Sequence, residues 1–169
     1  MNTIEDTKAP WRCVFCWKEP YEEYLGPLFG PFQLNEQCRA YLSHNKQLAK
    51  HYRKLIEVWL HRDCALWNNH IQMNPTTGEL MQIPDACSIY LDITCSICQI
   101  PGAALACRYR NCKIRYHYPC AKMTLSCRLV EESYSVYCPK HNQINKNKSN
   151  KNRRKTMTST NDSQEPLMT

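Results

Sequence analysis

Six close pairs of metal-binding side chains run through this chain: Cys13 with Cys16, His61 with Cys64, Cys95 with Cys98, Cys107 with Cys112, His117 with Cys120, and Cys138 with His141. A tight turn can aim two such donors at one ion, and zinc takes four of them in tetrahedral geometry. Six pairs make twelve donors, which suits three zinc ions. Catalytic zinc keeps an open position for water, whereas complete sets of four donors leave none. Neither H-E-x-x-H nor the deaminase-type H-x-E followed by P-C-x-x-C occurs. The expected chemistry is structural zinc binding, with no catalytic residue. His44, His51 and His70 lack a partner at pair spacing and read as ordinary core or surface residues. Cys38, Cys87 and Cys127 read as small buried hydrophobes or surface thiols. Spacing alone leaves open which pairs share an ion.

The elements that hold these donors must be short. The 169 residues include twelve Cys but only three Phe, a thin apolar core for the length that calls for another staple. The stretch "MNTIEDTKAPWR" does not read as a secretory signal, and no apolar run is long enough for a membrane span. A reducing compartment is expected, where clustered Cys and His favour zinc over disulfides. Residues 1–10 read as a disordered lead and 11–141 as the folded part, which holds every Cys and Trp. Residues 142–169 read as a disordered basic tail. "QLAKHYRKLIE" places Leu48, Tyr52, Leu55 and Ile56 at helical spacing. "HIQM", "NPTTGE" and "LMQI" predict a hairpin, Pro84 predicts the first turn of a helix carrying Cys87 and Tyr90, and "CRLV" and "YSVYC" predict two short strands.

Charge adds a second theme. The formal net charge is +7, and three loaded sites of three thiolates and one neutral His would lower it to about +4. Between Cys107 and Val130 lie Arg108, Arg110, Lys113, Arg115, Lys122 and Arg128 with no acidic residue. The tail adds Lys146, Lys148, Lys151, Arg153, Arg154 and Lys155. These residues either offset the thiolates and solvate the surface, or face phosphate; the tail also fits a nuclear import signal.

The run Cys95, Cys98, Cys107, Cys112, His117, Cys120, Cys138, His141 resembles a PHD finger of the variant that ends in His. That resemblance implies a cross-brace, with one ion on Cys95, Cys98, His117 and Cys120 and another on Cys107, Cys112, Cys138 and His141. Upstream, "CVFC" and "WLHRDCALW" resemble the zinc knuckle fused ahead of the finger in extended PHD fingers, which implies a third ion on Cys13, Cys16, His61 and Cys64. "LGPLFGPF", "RYHYPCA" and "CPKH" are similar to the modules of retinoic-acid-induced-type nuclear regulators and trithorax-like methyltransferases.

The fold so implied is a small zinc-stabilised α+β module, with a knuckle over 11–92 that includes an insert at about 17–60, and a PHD finger over 93–141. The implied function is nuclear and non-enzymatic: nucleosome or DNA binding alongside chromatin regulatory proteins, with neither membrane nor small-molecule substrate. Methyl-lysine reading is disfavoured, because Arg115 stands where cage-bearing members carry Trp. Two alternatives are a RING-type ubiquitin ligase, since Ile97 and Pro139 occupy positions that RING domains use, and a protein adaptor without nucleic-acid contact.

Overall fold

The computed structural model describes residues 12–44 and 56–142. The expected lead and nearly all of the expected tail lie outside these residues, as does the 47–55 part of the helix read in "QLAKHYRKLIE". Glu57, at the end of that stretch, opens a strand.

The segment between Cys16 and His61 supplies structural elements of its own. Strand β1 (Leu28–Gln33) pairs antiparallel with β2 (Glu57–His61), with a register shift between Phe29 and Phe32. Gly30 sits in that irregularity at φ +146, and a Cβ there would meet Val58 O at 2.8 Å, so only glycine lets the strands close. Between them, α1 (Glu36–His44) starts where the Asn35 side chain accepts the Cys38 N–H at 2.7 Å, an N-cap. Helix α1 buries Cys38 and Leu42, one turn apart on one face.

The first His of the chain's metal pairs ends β2, and α2 (Arg62–Leu66) follows it directly. The predicted hairpin forms as β3 (Gln72–Met73) and β4 (Leu80–Met81). Its turn is held by Asn74, whose Oδ1 accepts the N–H groups of Thr76 and Thr77. Helix α3 (Ile83–Tyr90) has Pro84 in its first turn and buries Ile83, Ala86, Cys87 and Tyr90, a helical stripe that packs on α1. Tyr41 on α1 donates its hydroxyl to Asp92 just past α3 at 2.6 Å.

The remainder is β5 (Leu105–Ala106) paired with β6 (Arg115–Tyr116), α4 (Tyr118–Met123), and β7 (Arg128–Val130) paired with β8 (Ser135–Tyr137). Every sheet among the described residues has two strands, too small for independent stability in water. One continuous core joins them, with Leu42, Val58, Leu60, Leu91 and Val136 at its centre. Leu60 is fully buried on β2 beside the His61 ligand position, so Leu60→Ala is expected to lower unfolding free energy by about 3 kcal/mol. Urea denaturation of the zinc-loaded protein checks this; a loss below about 1 kcal/mol would mean that β2 is not part of the cooperative core. No helix among the described residues is long and apolar enough to cross a membrane.

Candidate metal centres

The twelve paired donors gather into three groups: Cys13, Cys16, His61 and Cys64; Cys95, Cys98, His117 and Cys120; and Cys107, Cys112, Cys138 and His141. Within each group all ligand atoms lie within 4.8 Å of one another. In the second and third groups alternate pairs come together, which is the cross-brace; spacing had left sequential pairing equally open. The His Nδ1 atom faces the sulfurs throughout: 3.4 Å from Cys16 Sγ in the first group, 3.2 Å from Cys98 Sγ in the second, and 3.2 Å from Cys138 Sγ in the third. Four donors around zinc, with Zn–S about 2.3 Å and Zn–N about 2.0 Å, stand roughly 3.5–3.8 Å apart. Donor type, number and spacing therefore fit, and each group can hold a zinc ion.

The outer hydrogen bonds fit as well. His61 Nε2 bonds to Glu19 O at 3.1 Å, and His117 Nε2 bonds to Pro101 O at 3.0 Å. A carbonyl can only accept, so both rings carry a proton on Nε2, which leaves Nδ1 as the atom turned to the metal position. Backbone N–H groups point at sulfur too, His117 N at Cys95 Sγ (3.5 Å) and Cys138 N at Cys107 Sγ (3.3 Å). His141 stacks on Tyr109, with ring centroids 4.0 Å apart.

Without a cation, thiols this close compete for one negative charge. Burial pushes Cys13 up, but hydrogen bonds from Cys16, Cys64 and His61 more than offset it and hold Cys13 well below the usual thiol range. That thiolate in turn pushes Cys16 and Cys64 far up. Cys95 is held down by its hydrogen bond from Cys120, which is itself pushed up by Cys95. In the third group burial raises Cys107, yet the Cys138 and Tyr109 backbone and His141 bring it down to about 7, while burial and Cys107 push Cys138 up to about 11. The metal-free first group therefore keeps protons on Cys16 and Cys64 at neutral pH, and both must leave when zinc binds. Zinc affinity at that group should rise with pH, by about 10-fold per unit for each proton released, and fall on acidification. Calorimetric titration in buffers of different ionisation enthalpy measures the proton count; a value near zero would contradict this charge distribution.

The first two groups are copies of one device. In each, a C-x2-C turn is followed three residues later by the carbonyl that accepts the ligand His, Glu19 in one and Pro101 in the other. In each, the residue after the first Cys donates its N–H to the carbonyl two residues before the His: Val14 to Trp59, and Ser96 to Arg115. The His then caps a short helix with nearly identical backbone angles, ψ 148 and 147, within H-x2-C-A. The repeat between "LHRDCA" and "YHYPCA" is the sequence signal that could have revealed this, while the carbonyls carry no side-chain signature.

Residues set aside as non-ligands lie elsewhere. Cys38 and Cys87 are fully buried where α1 meets α3, and Cys127 is half-buried near Tyr116. His44 bonds within its own helix, His70 Nδ1 meets the Tyr90 hydroxyl at 3.0 Å, and His51 is outside the described residues. The basic stretch is not uniform. Arg108 donates to Ser135 Oγ at 3.3 Å, and Arg115 lies over the Tyr90 ring. Lys122 Nζ sits 4.2 Å from the Tyr24 ring centroid, and Arg128 donates to Asn142 O while stacking on Tyr137. Arg110 and Lys113 are exposed on the Cys107–Cys112 turn or next to it, and no hydrogen bond or ion pair holds either among the described residues. Lys151, Arg153, Arg154 and Lys155 lie outside the described residues.

Closed four-donor groups on short two-stranded sheets, two of them interleaved, define a zinc-binding module of the PHD type. Residues 61–142 match the family described as a PHD-like zinc-binding domain, and the span contains a His, five Cys, a His, two Cys and a His as its paired donors in order. The chain is 36% identical to Retinoic acid-induced protein 1 from Homo sapiens over 88 residues, 52% of this chain and 4% of that protein. It is 33% identical to Histone-lysine N-methyltransferase trithorax from Drosophila melanogaster over 85 residues, 50% of this chain and 2% of that protein. Histone-lysine N-methyltransferase trr from the same organism is 35% identical over 138 residues, 82% of this chain and 5% of that protein. A match that long reaches upstream of His61 into the knuckle region. The chain thus spans only a small fraction of these relatives.

Proposed function

We propose that the chain is a nuclear, non-catalytic chromatin-binding module, in which the twelve paired Cys and His residues ligate three structural zinc ions and exposed cations bind nucleosomal or free DNA. The observation that carries the phosphate reading is the exposed pair Arg110 and Lys113, which no hydrogen bond or ion pair holds among the described residues, in a stretch with no acidic residue. Lysine and arginine in that setting can neutralise phosphates without first breaking an internal ion pair. The names of the relatives, two of them histone-lysine N-methyltransferases, favour a chromatin setting. Packing argues against methyl-lysine reading: Tyr116 and Tyr118 are buried, and the chain's own Lys122 already lies against Tyr24 and Tyr118. The test is parallel titration of zinc-loaded protein with nucleosomes, free duplex DNA and histone-tail peptides. Binding to peptides alone would remove the phosphate reading.

One observation favours a second reading, the ubiquitin ligase. Ile97 and Pro139 are both exposed and line one apolar cleft of about 260 Å³ with Ile114, Tyr116 and Cys127. Discharge of ubiquitin from a loaded conjugating enzyme would establish it, and absence of discharge across a conjugating-enzyme panel would remove it.

A further inference from the structure

We infer that Trp17 ties the knuckle's metal centre to the finger's first metal centre, so that the two gain and lose zinc as a linked pair. This rests on the zinc reading above. The link is a single carbonyl. Pro101 O accepts the Trp17 indole N–H at 2.9 Å and bonds His117 Nε2 at 3.0 Å. Trp17 directly follows Cys16 of the first group, while His117 is a donor of the second. The corresponding carbonyl in the knuckle, Glu19 O, takes His61 at 3.1 Å. The indole therefore reaches out of one metal turn to the carbonyl that orients the other turn's histidine.

Two further observations support a functional Trp at this position. Trp17 has φ +64, in the left-handed region where a bulky side chain is costly. Gln99 holds the matching place after Cys98 at φ +61, so the turn demands this backbone whichever residue fills it. A strained aromatic whose polar atom is engaged 84 residues away is a candidate for a specific role. Beside Pro101, Gly102 at φ +103 lies so close to the knuckle that a Cβ would stand 2.3 Å from Phe15 O, and Phe15 lies between Cys13 and Cys16. The space enclosed by Phe15, Cys16, Cys64, Gly102 and His117 is about 10 Å³, at the lower limit for one water, so no solvent layer separates the two centres.

The physical consequence is reciprocal. Emptying the knuckle frees its turn, removes the Trp17 hydrogen bond and the Phe15 contact, and loosens the carbonyl that fixes the His117 tautomer. By linkage, emptying the second group weakens the knuckle by the same factor. The third group, whose donors contact neither Trp17 nor Pro101 through these bonds, serves as an internal reference.

The experiment uses the whole chain loaded with cadmium, whose NMR signals report the three centres separately, together with the His117 ring N–H proton signal. Trp17→Phe keeps every ligand and an aromatic ring while removing the indole donor. It is expected to speed cadmium loss to a chelator from the Cys95, Cys98, His117, Cys120 centre by about fivefold, to shift the His117 ring proton, and to leave the third centre unchanged. Cys16→Ser should speed loss from that same centre by about tenfold or more, and Gly102→Ala should act in the same direction. Gly78→Ala, another positive-φ glycine but with nothing within 4 Å of its Cβ position, should leave that centre's rate unchanged. Unchanged loss rates and an unshifted His117 signal in Trp17→Phe would overturn the inference. A parent chain holding fewer than three ions would instead sink the zinc reading itself. Should Cys16→Ser lose all three signals through unfolding, Trp17→Phe, with its ligands intact, decides.

Discussion

Purified protein is expected to contain about three zinc ions per chain, and a strong chelator should unfold the module rather than merely empty it. The core is lined by two-stranded sheets, none of them large enough to stand alone. A structural zinc contributes roughly 10–16 kcal/mol of apparent binding free energy, while a whole small domain is stable by about 5–15 kcal/mol. Loss of the ions therefore exceeds what packing can sustain. His61→Ala should lower the zinc count from three to two, because it removes one of the four donors of the first group. His44→Ala and His70→Ala should leave the count at three, since neither residue belongs to a donor group. Elemental analysis with circular dichroism before and after chelation checks all of this. Retained secondary structure and a sharp thermal transition without metal would show that packing alone holds the fold.

Under the proposed phosphate reading, binding to duplex DNA or nucleosomes is expected to weaken as salt rises, with a slope that counts the cations in contact. Each phosphate contact contributes about 0.9 to the slope of log affinity against log salt. Arg110→Gln with Lys113→Gln should therefore flatten the slope by about 1.8 if both residues touch phosphate, with the zinc count unchanged. Truncation after His141 removes the six tail cations and should flatten it further. Arg128→Gln is less clean: its guanidinium bonds to Asn142 O, stacks on Tyr137 and has a buried Nη2, so the change would disturb packing as well. Identical affinities and slopes for the parent, the Arg110/Lys113 variant and the truncated chain would leave the adaptor reading in front.

The donors were legible in the sequence because their signal is local. A C-x2-C or H-x2-C pair announces itself within four residues, as did the Asn74 turn of the hairpin and Pro84 at the start of α3. The cross-brace was not legible from spacing, since it depends on which pairs meet in space; it entered only through family resemblance. Strand β1 was hidden because Gly30 and Pro31 interrupt its pattern. Helix α1 was hidden because its buried face is only Cys38 and Leu42, too few positions to announce a helical period. The bond from Trp17 to Pro101 spans most of the module and involves a backbone carbonyl, which no side-chain pattern encodes.

The 44 residues between Cys16 and His61 also have a consequence in time. A ribosome adds about 5–20 residues per second, so Cys13 and Cys16 wait roughly two to nine seconds before their partner donors exist. The shorter gaps of the finger impose shorter waits, and closing a longer loop costs more chain entropy. The first metal turn to be synthesised is therefore also the one left longest as a free dithiol, open to oxidants and to competing soft metals until β2 arrives and delivers His61.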